Sequence, residues 1–240
     1  MTGSLVPFPR SQGLSIMNEQ VRIVRTSLHN ELVQRVRDLV IDGHLKPGEK
    51  VPEADLCRTL GVSRTPMREA LKVLAAEGLL TLLPNRGAIV SRISSAEIEE
   101  LFPIMGALEA LAGELAAERI TPAQTAAIRR DHDAMVRHYE AGEWMPYIKL
   151  NRAIHEAIFA AAGNASLSAM YQQLLIRTHS VRFVAKKSAA RWREAIEDHE
   201  KIISALERRD GKALAAVLRQ HLVNKAETMR EVLMAERTDA

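Results

Sequence analysis

The stretch LGVSRTPMREALKVLAAEGLL, residues 60–80, decides the fold. Met67, Ala70, Leu71 and Leu74 recur at the three- and four-residue spacing of an apolar helix face. Arg64, Arg68 and Lys72 recur every four positions on a second face, which a helix built only for packing does not need. Ser63 suits an N-cap. Pro66 falls in the first turn, where its missing N–H removes a donor that had no intrahelical partner anyway. The helix therefore turns Arg64, Thr65, Arg68 and Lys72 outward at its exposed N-terminal end.

Upstream, PEADLCRTLG (residues 52–61) opens on Pro52, carries acids in its first turn and stops at Gly61, which describes a helix of about two turns. Before it, from about Ser27, Leu28, Leu32, Val36, Leu39 and Val40 mark an amphipathic helix that ends near Gly43 and the Pro47-Gly48 turn. Downstream, LLTLLPNRGAIVS reads as two β-compatible runs around Pro84-Asn85-Arg86-Gly87. Two short helices joined at a glycine, the second presenting arginine and threonine from its N-terminal end, are how a helix-turn-helix offers donors to base edges and phosphates. The hairpin supplies a wing. Its Arg86 is placed to meet a phosphate or the minor groove, and Gly87 lets the backbone approach the duplex closely.

In these residues, PGEKVPEADLCRTLGVSRTPMREALKVLAAEGLLTLLPNRGAIV (47–90), the chain resembles the winged-helix domain of GntR-type transcriptional regulators. The resemblance implies DNA contacts by Arg64, Thr65 and Arg68 on the recognition helix and by Gly87 in the wing. It also marks a departure, because the chain has Ala54 where another member of the family uses an arginine.

The chain of 240 residues has room for two domains, and its aromatic content of only 4% with abundant Ala, Leu, Glu and Arg describes a mainly α protein. Residues 1–92 carry 13 Lys/Arg against 9 Asp/Glu, and the remainder 20 against 21, so the small cationic excess belongs to the N-terminal part. The single cysteine, Cys57, excludes an internal disulfide. No apolar run is long enough for a membrane span, and residues 1–20 read as a flexible arm without the apolar region of a secretory signal. These features together predict a cytoplasmic protein with no membrane partner.

The winged domain is expected over residues 21–92, and residues 95–236 read as an all-α domain for effector binding and dimerisation. Breaks near Ile120-Thr121-Pro122, Gly142, Gly163-Asn164, Lys187-Ser188 and Asp210-Gly211 divide it into six helices. In the first of these, after a serine cap, Leu101, Leu108, Leu111 and Leu115 form the expected packing stripe, with Pro103 early enough to kink it only slightly. Histidines 132, 138, 155, 179, 199 and 221 are the chemical candidates. His199 and His221 lie 11 residues either side of Asp210. On two antiparallel helices both therefore sit about 16 Å below the turn. His155, eight residues before Gly163, falls near the same level, with Asn151 one helical turn away on the same face. Three imidazoles and an amide oxygen suit a borderline divalent ion, zinc or nickel, with positions left open for a ligand carboxylate.

The segments LNRAIHEAIFAAAGN, EDHEKIISALERRDG and LRQHLVNKAETM look like the histidine-bearing segments of the FCD ligand-binding domain of FadR-like GntR regulators. That resemblance implies a metal held by Asn151, His155, His199 and His221, beside an effector that also meets Met105. Many relatives have Asp for Asn151 and Arg for Met105, so a more apolar or less acidic effector is expected here. The reading is a dimeric regulator, a repressor, that binds a palindromic double-stranded DNA operator and is controlled by a small carboxylic or sugar acid. A metal sensor, or a metal-dependent hydrolase with a DNA-binding head, is the alternative. The hydrolase lacks a general base, because Glu156 is turned about 100° away from His155 on a helix.

Overall fold

The computed structural model describes residues 25–178 and 189–238. The expected arm over residues 1–20, the Lys187-Ser188 break and His179 lie outside the described residues. Helices α1 (Arg25–Ile41), α2 (Glu53–Leu60) and α3 (Arg64–Ala76) precede an antiparallel pair, β1 (Leu80–Leu83) and β2 (Gly87–Val90). Six helices follow among the described residues: α4 (Ser95–Arg119), α5 (Pro122–Glu140), α6 (Trp144–Ala162), α7 (Ala165–Arg177), α8 (Ala189–Glu207) and α9 (Gly211–Thr238). The fold is mainly α, a winged helix-turn-helix followed by a helical bundle.

The turn between α2 and α3 works through Gly61, whose φ of +66° ends α2 in the left-handed region that a glycine enters without strain. Ser63 has the extended backbone of an N-cap, yet its side chain makes no capping hydrogen bond. The first-turn N–H groups of α3 are thus left without a side-chain acceptor. In the wing, Leu80 pairs with Val90 and Leu83 with Gly87, and Asn85 turns the tip at φ +58°. A third strip, which the sequence showed only as a turn, runs along the other edge of β2. Gly48 donates its N–H to the Val90 carbonyl at 2.8 Å, and Val51 donates to Ala88 at 2.9 Å. The strip covers an edge that would otherwise be unpaired.

Val36 and Val40 of α1, Met67, Leu71 and Leu74 of α3, and Val90 of β2 form the core of this head. Leu28, although in phase with them, is 54% exposed because the head's core begins one turn further along α1, at Leu32.

A separate core fills the bundle, and its backbone is α4 packed along α9. The leucine stripe expected on α4 is only partly its buried face: Leu101 is buried at 4% exposure, Leu108 and Leu115 are partly buried, and Leu111 is 43% exposed. The face against the bundle is Ile98, Phe102, Met105, Gly106, Ala112 and Gly113. Small residues won this face because α9 comes so close: a Cβ on Gly113 would stand 2.7 Å from Leu218 Cδ1 and 3.0 Å from Leu214 Cγ. Ser94 caps α4 in a reciprocal box with Glu97, and Pro103 sits inside the helix without ending it.

The two cores meet at the end of α7. Ile176 packs against the head's core, and Arg177 lies over Gly78, its Cγ 3.1 Å from where a Cβ would stand. Arg177 also reaches Glu97 at 3.6 Å. Among the described residues no helix is long and apolar enough to cross a membrane.

Gly113→Val should lower stability by about 2 kcal/mol or more, since a branched side chain at the closest approach of α4 and α9 overpacks a filled core. Chemical denaturation measures it, and an unchanged midpoint would contradict the packing described.

Candidate functional site

The head presents Arg64, Thr65, Arg68 and Lys72 on exposed positions of α3, and Arg86 is exposed at the wing tip. Their cationic stripe is not unbroken. Lys72 Nζ lies 2.8 Å from Glu69, and Arg68 Nε lies 3.9 Å from Glu53, which projects from the start of α2. Glu53 also approaches Gly87: a Cβ there would meet its Oε1 at 2.4 Å, at a φ of +86°. One carboxylate thus sits between α3 and the wing, near Arg68 and beside the side of Gly87 that has no Cβ. The uncapped first turn of α3, with its N–H groups and partial positive charge, belongs to the same surface and suits a phosphate.

In the bundle, Gly163 ends α6 at φ +60°, and the Arg209-Asp210 turn joins α8 to α9, with Asp210 Oδ1 capping the Ala213 N–H at 3.0 Å. These turns bring His155, His199 and His221 together, with one ligating atom from each within 4.8 Å of the others. Their ring centroids are 5.0–5.4 Å apart. Asn151 joins them by its amide nitrogen: Nδ2 lies 2.7 Å from His199 Nε2, so an amide N–H caps the lone pair that an ion would take. The sequence pointed to the amide oxygen, which a half-turn of the same side chain presents.

Two imidazoles are backed by buried carboxylates. Glu109 Oε2 of α4 lies 3.1 Å from His155 Nδ1, and Asp198 Oδ2 of α8 lies 3.5 Å from His221 Nδ1. Neither pair has hydrogen-bond alignment at the imidazole Nδ1. Carboxylates on the outer nitrogens hold imidazoles with the inner nitrogens facing a shared centre. Glu109 also accepts the Tyr171 hydroxyl, and Asp198 accepts from Asn224 at 2.9 Å. Burial pushes the Glu109 carboxyl up, but His155, Tyr171 and His221 outweigh it and hold it below the usual range. For Asp198 burial acts in the same upward direction and is outweighed by His221 and Asn224. Burial, followed by the charges of His221 and His155, holds His199 well below the ordinary imidazole value. Burial also lowers His221, against the opposing pull of Asp198. His155 Nε2, buried without a partner beside the two imidazoles that burial holds low, fits a divalent ion.

Above this cluster opens a cavity of about 160 Å³ whose lining includes Met105, Asn151, His155 and His221. His132 is buried and stacked on His199 at 6.4 Å, outside that lining, and His138 pairs with Glu143 at 2.6 Å on the surface. Glu156 pairs with Arg152 at 2.7 Å and supplies no base to the cluster.

Residues 28–90 match the bacterial regulatory proteins of the gntR family, and residues 100–224 match the FCD domain. The chain belongs to the GntR family. It is 31% identical over 205 residues to the probable D-xylose utilization operon transcriptional repressor of Paenarthrobacter nicotinovorans, covering 84% of this chain and 88% of that one. It is 25% identical to the transcriptional repressor RspR of Escherichia coli, covering 90% and 95% respectively. The solved structure of E. coli McbR superimposes with a TM-score of 0.74 at 26% identity, covering 85% of this chain and 97% of that one. This GntR-family chain is accordingly a transcriptional regulator with an FCD domain and not an enzyme, which removes the hydrolase alternative.

The sequence reading missed Glu109, Tyr171 and Asp198. Glu109 carried a usable signal, a lone acid on the apolar face of a long Ala/Leu helix, four residues after Met105. Asp198 gave none, since it neighbours His199 in sequence but faces His221.

With a chelator present, this GntR-family regulator should lose stability on acidification. His199 and His221 fold with pKa values below the ordinary 6.5, so the unfolded chain takes up protons first. Their contribution is complete above about pH 6.5 and falls away below it. Melting temperatures measured between about pH 7.5 and 5.5 should decline, and a flat profile would contradict the neutral cluster.

Proposed function

We propose that the protein is a homodimeric repressor whose two winged heads read the halves of a palindromic operator, and whose bundle binds a small carboxylic or sugar acid together with a divalent metal. The observation that carries this reading is the last turn of α7. Thr178 lines the cavity above the histidines, while Ile176 packs into the head's core. A ligand that moves this turn moves the head, and a coupling of about 1–3 kcal/mol suffices to release an operator.

Arg64, Thr65, Arg68 and Lys72 address the major groove and its phosphates, while Arg86 and Gly87 follow the backbone at the wing. One head offers few base contacts, each good bidentate pair discriminating by about 1–3 kcal/mol, so specificity calls for two. Ile104 and Leu111 on α4 and Val223 on α9 are 50%, 43% and 44% exposed, an apolar surface that favours a second copy. The repressor names of two relatives support the sign of control. His155, His199, His221 and Asn151 would hold zinc or nickel, and the ion supplies a positive centre for the effector's carboxylate.

Selection from randomised duplexes at moderate salt should return a palindrome, and operator affinity titrated with chelator and with acids separately should show which of them controls it. A pool without sequence preference would end this reading. Arg68 is 68% exposed, so Arg68→Ala should leave thermal stability within about 0.5 kcal/mol of the parent. The same substitution should weaken operator binding at least about tenfold and erase its sequence preference. Retained specificity would remove α3 as the reading helix. His199→Ala should lower bound zinc or nickel, measured by elemental analysis after dialysis, and unchanged metal content with unchanged effector affinity would remove the site.

A further inference from the structure

Most of the polar atoms lining the cavity are already used. Thr178 and Thr228 donate their hydroxyls to the Leu174 and Asn224 carbonyls at 3.1 and 2.9 Å. Arg152 is held by Glu156, and Arg191 by Glu194 and Glu231. Asn224 donates to Asp198 and accepts from Gln220. Unspent capacity remains at the imidazole end, where His155 Nε2 is buried without a partner. Lys225, one turn beyond His221 on α9, lines the cavity at that end and acts electrostatically on both His199 and His221.

The rest of the wall is apolar and aromatic. Phe102, Met105, Trp192 and Met229 are each at most 6% exposed, and Trp192 meets Tyr147 edge-on at 4.8 Å. Hydroxyls placed against thioethers and rings give up water without replacement, so a polyhydroxylated acid is disfavoured. A second carboxylate finds both arginines committed. Thioethers and ring faces favour an aromatic body. The size agrees: 160 Å³ is close to the roughly 150 Å³ of an apolar cavity known to accept benzene.

We infer that the effector is an aromatic monocarboxylate of single-ring size, its carboxylate at the imidazole end and its ring between Met105, Met229 and Trp192. This rests on the reading of the bundle as an effector domain and narrows that reading to one chemical class.

Trp144 and Trp192, the two tryptophans of the chain, stack at 4.7 Å, and Trp192 lines the cavity, so intrinsic fluorescence reports occupancy. Full-length protein supplied with zinc or nickel is titrated with benzoate, phenylacetate, hexanoate, gluconate and citrate, by fluorescence and by calorimetry. Benzoate or phenylacetate should bind at least about tenfold more tightly than the other three and change the tryptophan signal. Ala195→Phe, at a half-buried lining position, should abolish that binding while the melting temperature stays near the parent's. Gluconate, citrate or hexanoate binding as tightly as the aromatic acids would overturn the inference. If that acid also releases the operator, the regulator reading survives. Failure of every acid to bind, with operator affinity unmoved, overturns both.

Discussion

Three imidazoles and two carboxylates share the middle of a helical bundle, each at most 6% exposed, and the rest of the second domain is arranged around that constraint. Burying such groups is unfavourable, and apolar side chains of similar volume would generally stabilise the bundle more. The fold reduces the penalty piece by piece. Glu109 and Asp198 stand behind His155 and His221, Tyr171 donates to Glu109, and the Asp210 cap fixes the turn that sets α8 against α9. The penalty is not removed, since His155, His199 and His221 keep buried ring nitrogens without hydrogen-bond partners. An unmet buried polar atom costs about 1–3 kcal/mol, so a ligand that engages His155 Nε2 starts with an advantage over leaving it bare.

The winged head solves a different problem, how to keep a charged reading surface rigid on few residues. Gly61 sets the angle between α2 and α3, and the strip at residues 48–51 braces β2 from outside. Glu53 sits where α2, Arg68 and the Gly87 backbone converge. A carboxylate in that place leaves Arg68, 3.9 Å away, only loosely held, so the proposed exchange of this contact for a phosphate or base edge would cost little. Arg37 and Glu77, paired through both carboxylate oxygens at 2.8 Å, tie α1 to the end of α3 on the head's far side.

How much of this was legible beforehand differs by element. The order of helices and strands was plain because caps, glycines and apolar periodicity agree with one another along the chain. The convergence of His155, His199 and His221 was also legible, because two antiparallel helices around a tight turn place residues at equal distance from it side by side. The buried face of α4 was legible only in part. Periodicity ranked its leucines above its glycines and alanines, whereas the approach of α9 to Gly106 and Gly113 reversed the order. Partners such as Glu109 with Tyr171, 62 residues apart, depend on which helices meet, and that information is tertiary. The third strip of the wing was hidden for a like reason, since PGEKV is too short and polar to read as a strand until β2 lies beside it.

The end of α7 bears on control. Ile176 lies in the last turn of α7 and Thr178 is its C-cap, so one helix end faces the head and the cavity at once. Only Arg177 lies between them in the chain. Within the bundle, Arg177 also pairs with Glu97 of α4 through side chains that are 42% and 37% exposed. A pair so open to solvent is worth at most about 1 kcal/mol. The head meets this helix end through Ile176 in its core and Arg177 over Gly78, so a displacement of Thr178 by a ligand would pass to the head across a single intervening residue.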